Sequence, residues 1–317
     1  MTAAPALPLA APAKRTGMGV LSAVTAVVVW GTSSVLIKEV DGLNGVAISA
    51  YRLWIGAVLI SAVFLLSGGR VTWALLRLSF WGAIAFLADI ILFFSALQET
   101  SVANATVIGA LQPLLMLAVA GPLFGERPRW TDGAWGCVAV AGAALVVLGG
   151  DGGGVNSAAG NLLAVGALAA WTWYFIASKT ARTRLTSFEY LTGISIVSAL
   201  VVIPVPFLLD QPLGSPTGEA WALIAAIAVI NGALGHFLMN WSHAHIPLVA
   251  MSLLTLGIPV VSAASAALFI DEPLVAIQVV GMAVVVGALG VVSVHGARRT
   301  PHTAEDEGQA VALVPEP

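Results

Sequence analysis

The sequence predicts an all-α integral membrane protein: ten transmembrane helices, arranged as two inverted five-helix repeats with both termini on the cytoplasmic side. Three observations predict it. The first is composition. Of 317 residues, 59% are hydrophobic and 9% charged, with a mean hydropathy of +0.96, whereas a soluble domain carries roughly 25% charged residues. So few charges cannot coat a water-facing surface, while a bilayer asks for apolar runs of about 20 residues with few charges inside them. The second is that the chain divides into ten such runs. The third is internal repetition. "TSVANATVIGALQPLLMLAVAGPLFGERP" (100–128) lies under "HIPLVAMSLLTLGIPVVSAASAALFIDEP" (245–273), with Pro113 and Glu126 each 146 residues before Pro259 and Glu272.

Taken in order, residues 1–16 place apolar residues ahead of Lys14 and Arg15, the reverse of a secretory signal, and read as a disordered cytoplasmic tail. Punctuation by polar residues, Gly and Pro then sets the helices near 17–38, 44–67, 79–98, 101–125, 132–150, 157–179, 187–208, 219–243, 246–270 and 274–295. Residues 296–317 are polar, acidic and Pro-containing, and read as a second disordered tail. With the N-terminus inside, eleven of the thirteen basic residues fall on the cytoplasmic side: Lys14, Arg15, Arg70, Arg77, Arg127, Arg129, Lys179, Arg182, Arg184, Arg298 and Arg299. Cys137, the single cysteine, sits in an apolar run and reads as a small core residue.

The repeat defines two units, 17–150 and 151–295. Pro128, Gly136 and Gly142 match Pro273, Gly281 and Gly287 at an offset of 145, and Trp30 and Lys38 match Trp171 and Lys179 at 141. Five helices per unit is an odd number, so the second unit enters the membrane upside down. Inverted repeats are the architecture of alternating-access carriers, with the substrate near the midplane beside helices interrupted by Pro or Gly at corresponding positions. Pro113 and Pro259 are such a pair, although prolines also kink helices that merely pack.

These features resemble the drug/metabolite transporter superfamily, EamA-like branch: ten spans in two halves, Trp30-Gly31 in helix 1, and a proline followed by "GERP" or "DEP" and then by Gly-x5-Gly. The resemblance covers about residues 17–295. It implies a carrier of the bacterial cytoplasmic (inner) membrane that exports amino acids, other metabolites or toxic compounds.

Charge within a bilayer costs at least about 2.5 kcal/mol at a helix centre, so an intramembrane ionisable residue is a functional candidate. Asp89 is the acidic residue well inside a span and Arg52 the basic one. They serve either as a structural ion pair or as separate groups of a site, where an acid and a base would suit a zwitterion. The eighth helix is the most polar. His236, Asn240 and His243 share a face, and Asn231 lies about 140° round an α-helix from His236. An Asp and a His at one depth can take up and release a proton, which makes Asp89 the candidate carrier and His236 its partner, unless His236 only bonds a neighbouring helix. His243 and His245 are expected at the wet cytoplasmic end. Trp30, Trp171 and Tyr174, with Asn104, Gln112 and Thr255, are candidate walls of a substrate cavity; an interfacial aromatic belt is the alternative. Lys38, Glu126, Lys179 and Glu272 are candidate gate residues, Glu126 pairing with Arg70, Arg127 or Arg129 and Glu272 with Lys38, unless they are solvated helix ends.

No cofactor is expected, and "HAH" without nearby cysteine is a weak zinc signal. The expected partners are a small-molecule substrate and membrane lipid; a net charge of −3 argues against nucleic acid. The Gly-x5-Gly faces suit packing within the chain or in a homodimer. "GGDGGG" lacks the Lys-Ser/Thr of a nucleotide-binding loop, and neither His-Glu-x-x-His nor Gly-x-Ser-x-Gly is present, which disfavours an enzyme. The expectation is a secondary-active exporter of amino acids or related metabolites, proton-coupled through Asp89. The alternatives are a passive facilitator of metabolites or drug-like cations and, ranked lower, a membrane-embedded enzyme or a receptor.

Overall fold

The computed structural model describes residues 13–100, 102–126, 129–149, 157–269 and 273–297. Both tails beyond those limits and Glu272 lie outside the described residues, as do the side chains of Lys38 and Asn104. Within them every element is helical: α1 Ala13–Lys38, α2 Gly45–Leu66, α3 Trp73–Glu99, α4 Val102–Gly109, α5 Gln112–Phe124, α6 Trp130–Leu148, α7 Ala158–Ala181, α8 Ser187–Val201 and α9 Val205–Leu208, followed by α10 Gly218–Ile227, a π-helical stretch Ala228–Gly235, α11 His236–Ser242, α12 Leu248–Leu254, α13 Gly257–Phe269 and α14 Ala276–Ala297. Eight of these runs are long and apolar enough to span a bilayer, and Ser187–Val201 and Ala276–Val291 are shorter apolar helices, which together make ten apolar segments.

Side-chain caps start five of the helices. The oxygens of Asn44, Thr72, Ser157, Thr186 and Thr217 accept from the backbone N–H three residues on, where no helical partner exists. Thr72 explains why the third helix starts at Trp73 rather than near 79: the cap outweighs Arg77, whose aliphatic stem can lie along the apolar surface. The seventh segment ends early as a regular helix, because Pro204 and Pro206 supply no N–H and split off the short α9.

Both proline-bearing segments break. Pro113 lacks an N–H and its ring excludes a helical carbonyl at Gly109, so α4 stops there and the chain re-enters helix at Gln112, with Pro113 in a first turn that tolerates it. Leu111 N bridges the gap by donating to Ile108 O at 3.0 Å. The second break copies the first: α12 stops at Leu254, Leu256 N donates to Leu253 O at 3.0 Å, and α13 resumes with Pro259 in its first turn.

Packing positions these breaks at the centre. α5 lies on α12, α6 on α14 and α2 on α8; α3 lies along α7 as α1 lies along the π stretch and α11. The α2–α8 contact thus joins two helices that correspond under the sequence repeat, as does the α6–α14 contact. α6 and α14 meet backbone to backbone, since a Cβ on Gly281 would stand 2.6 Å from the Gly142 carbonyl oxygen, and this settles those glycines as an intrachain contact. The outer surface is apolar: Leu21, Val58, Leu162 and Leu268 are 67–76% exposed, which suits lipid and not water. Cys137 is on that exposed surface, not in the core, because α6 turns its small Gly136 and Gly142 inward instead. The interior holds the polar groups: Tyr174, Ser178, Asn240, His243 and Gln112 are each at most 1% exposed.

Candidate functional site

His236 is the hub. Its imidazole lies 4.9 Å from the Trp30 ring and 4.7 Å from Phe86, and Trp30 meets Trp171 at 5.7 Å. Trp171 stacks on Tyr174 at 5.2 Å, an interplanar angle of 17°, and Phe86 closes the ring against Tyr174 at 5.5 Å. The repeat mates Trp30 and Trp171 thus pack together with Tyr174 and His236, all buried except Trp171, which is partly so. Their close approach depends on Gly235, where a Cβ would run into the Trp30 indole. Trp81 and Trp173 pair at the surface instead, and Trp130 is fully outside, as a belt would have it.

Below the hub a polar seam joins α7 to α11. Tyr174 Oη lies 3.1 Å from His236 Nδ1 and donates to Asn240 Oδ1 at 3.3 Å; Ser178 Oγ donates to the same Oδ1 at 2.7 Å and lies 2.6 Å from His243 Nδ1. Tyr174 and Ser178 are one turn apart on α7, and Asn240 bridges them. His243 is therefore not at a wet end. It is 1% exposed, because Ser178 and the Phe175 ring at 4.8 Å draw it inward; His245 is the one left at the edge, stacked on Trp241 at 3.8 Å. Ser178, Phe175 and Phe86 were not among the sequence candidates. Ser178 is signalled by its four-residue spacing from Tyr174, and Phe86 by its three-residue spacing from Asp89.

Arg52 on α2 donates to Asn231 Oδ1 at 3.1 Å, and Trp30 Nε1 donates to the Asn231 carbonyl at 3.1 Å. Asn231 lies in the π stretch. A π-turn widens the helical repeat from four residues to five, so Asn231 and His236, five apart, swing toward the same side rather than 140° apart. A cavity of about 30 Å³ opens there, lined by Arg52, Phe86, Gly232 and His236 with apolar residues of α2 and α8, room for about two waters. Asp89 follows Phe86 by one turn of α3. It forms no ion pair with Arg52 and no hydrogen bond among the described residues, although the two charges act on each other across the interval.

Gln112, at the first break, is 1% exposed and neither of its amide atoms has a partner. Thr255, at the second break, donates back to Ser252 O at 2.6 Å.

Glu126 closes one end of the bundle. Gly125, in the left-handed conformation (φ 66°), ends α5 and turns the chain back. Glu126 Oε1 then takes Lys179 Nζ at 2.6 Å and Leu248 N at 2.7 Å, while Oε2 takes Val249 N at 3.3 Å. α12 begins after Pro247 with no cap of its own, so a carboxylate from 122 residues earlier serves as its cap. Among the described residues the basic partner of Glu126 is thus Lys179, neither Arg70 nor Arg129, because the turn at Gly125 aims it inward across α7 and α12; Arg127, the other candidate, lies outside the described residues. Lys179 also lies 5.5 Å over the Phe124 ring. No group of metal-ligating residues occurs among the described residues.

Comparison with known proteins places this geometry in a lineage. The model of the EamA-like transporter family matches residues 17–148 and again 158–294. The uncharacterized transporter YwfM of Bacillus subtilis (strain 168) is 29% identical over 286 residues, 87% of this chain and 93% of the relative. The aromatic amino acid exporter YddG of Ancylobacter novellus is 26% identical over 223 residues, 68% of this chain and 76% of the relative. The uncharacterized inner membrane transporter YhbE of Escherichia coli (strain K12) is 24% identical over 258 residues, 74% of this chain and 77% of the relative. A solved crystal structure shares the fold with a TM-score of 0.78 at 21% identity, over 92% of this chain and all of its own.

Proposed function

Because the chain belongs to the EamA-like transporter family, within the drug/metabolite transporter superfamily, we propose that it is a secondary-active exporter of amino acids or related small metabolites in a bacterial inner membrane. It works by alternating access between two inverted halves, units 17–150 and 151–295. The observation that carries this reading is the cavity where the halves meet. One cation, Arg52, and one imidazole, His236, face a small space walled by Phe86 and aliphatic side chains, with Asp89, a carboxylate unpaired among the described residues, one turn along α3 from Phe86.

The chemistry follows from those groups. Arg52 keeps N–H donors beyond the one given to Asn231, and these suit a substrate carboxylate. Asp89 has no partner among the described residues, so it can exchange a proton or meet a substrate ammonium without breaking a bond to any of them. Apolar and aromatic walls with a few fixed polar groups are what a small-molecule site uses, and the relative named as an aromatic amino acid exporter supports an aromatic substrate. The present cavity admits about two waters, so it belongs to a closed form, and Glu126, bonded to Lys179 and α12, is what holds one end shut. Opening requires those bonds to part. The broken segments α4–α5 and α12–α13 are the elements with slack to allow it.

The test is flux or counterflow in proteoliposomes across a panel of amino acids, nucleosides, sugar phosphates and cationic drugs, with lumenal pH recorded and Asp89→Asn run in parallel. Saturable flux of an amino acid with a matching pH change, lost in Asp89→Asn, is the expected result. Flux without a pH change would instead make the protein a facilitator.

A further inference from the structure

Away from the cavity, the connection from α7 to α8 lines an open groove of about 500 Å³ together with Phe237 and Trp241 of α11. Its position is defined by the apolar spans. The α7 span ends at Ala181 and the α10–α11 span at Ser242, so the groove sits where hydrocarbon gives way to headgroups. Trp241, stacked on His245, stands at that level as interfacial tryptophans do.

The polar groups of the groove are arranged for an anion. Arg182 gives Nε to the Asn240 carbonyl at 2.9 Å and one terminal nitrogen to the Leu185 carbonyl, neutral acceptors that leave its charge uncompensated. Burial pulls this guanidinium below its ordinary value, and the Glu189 carboxylate partly restores it. Glu189 is itself engaged, accepting from Thr186 N at 2.7 Å, while the Thr186 hydroxyl takes Glu189 N. That capping box leaves the N–H groups of Ser187 and Phe188, the first two of a fifteen-residue helix, without acceptors. Ser187 is 4% exposed, and its hydroxyl has no hydrogen-bond partner among the described residues. Arg184 is exposed, and its side chain has no partner among the described residues.

We propose that this groove is a headgroup site for an anionic phospholipid, its phosphate on the α8 N-terminus and Arg184 and its acyl chain along Phe237 and Trp241. Two arginines against one glutamate leave a single net positive charge, which matches a phosphodiester monoanion. The aromatic wall gives a free phosphate nothing to bind but lies along the path of a lipid tail. Basic pockets between membrane helices bind such headgroups elsewhere. The site is separate from the transport cavity, and its assignment does not depend on what the protein carries.

Native mass spectrometry of the purified full chain tests this, with phosphatidylglycerol or phosphatidylcholine added, alongside thermal unfolding in the same mixtures. The expected result is one retained phosphatidylglycerol per chain, raised thermal stability with that lipid, and no such effect of phosphatidylcholine. Arg184→Gln, at an exposed position that leaves the fold intact, weakens retention about fivefold, the loss expected for one basic residue at an anionic surface; Arg184→Lys keeps most of it. Ser187→Val weakens it as well. Equal retention in wild type and Arg184→Gln overturns the proposal. So does full reproduction of the stabilisation by sn-glycerol 3-phosphate or inorganic phosphate, which would make the groove a soluble-anion site.

Discussion

Two polar regions adjoin at His236 and are built on opposite principles. In the seam between α7 and α11, Tyr174, Ser178, His236, Asn240 and His243 answer one another through four contacts of 2.6–3.3 Å. Around the cavity, Arg52 has one such partner among the described residues and Asp89 has none among them. A buried polar group without a partner is costly, so the unpartnered carboxylate persists for something the seam does not do. The seam joins two helices, whereas the proposed function uses the open groups of the cavity for a substrate or a proton. His236 belongs to both, which makes it the link between structure and site.

The comparison breaks most visibly at Asp89. Asp89→Asn should abolish pH-driven flux while leaving the thermal unfolding midpoint unchanged or higher, since no bond is lost and a buried charge is removed. Unchanged flux with a lowered midpoint would place Asp89 with the structural groups. Next in size is Glu126, which has the seam's logic and, in the proposed function, closes a gate. Glu126→Gln weakens charge-assisted bonds to Lys179 and to the α12 N-terminus and should cost about 3 kcal/mol, the upper range for such bonds, measured by reversible unfolding. Adding Lys179→Met should recover part of that loss, because it removes the cation left without its partner.

Within the seam itself, Asn240→Leu deletes the acceptor shared by Tyr174 and Ser178. Interhelical bonds in membranes average well under their vacuum worth, so two of them should cost about 1–2 kcal/mol, with flux per folded molecule largely kept. A collapse of flux without loss of stability would mean that the seam orients His236 for transport and does more than bind two helices.

The difference between the regions also explains what the sequence reveals. Apolar segments, the proline pair and the intramembrane Asp89 and Arg52 are local or repetitive signals, and hydropathy plus an offset exposes them. The breaks before Pro113 and Pro259 follow from proline chemistry alone. What cannot be read locally is partnership. Glu126 meets Lys179 and Leu248 only because the turn at Gly125 and the packing of α5 on α12 bring three distant segments to one point. The burial of His243 depends on Ser178, and the near alignment of Asn231 with His236 depends on a π stretch that carries no proline or other marker. Caps such as Thr72 are legible in principle, since a Thr precedes an apolar run, but Arg77 masks the start.

Gln112 sharpens the comparison most finely, because by position it belongs to neither region. It lies at the α4–α5 break with both amide atoms unpartnered and no link to the seam. If it is idle, Gln112→Leu removes an unsatisfied polar group from the interior at similar volume and should raise stability by about 1 kcal/mol with flux unchanged. If it belongs with Asp89, the same gain in stability comes with a raised KM, since its amide is then kept for a substrate that the closed form does not hold. Unfolding and concentration-dependent flux on the one variant separate the two, and the expected outcome is the second: a residue that costs stability at the break in a helix is better explained by binding than by packing.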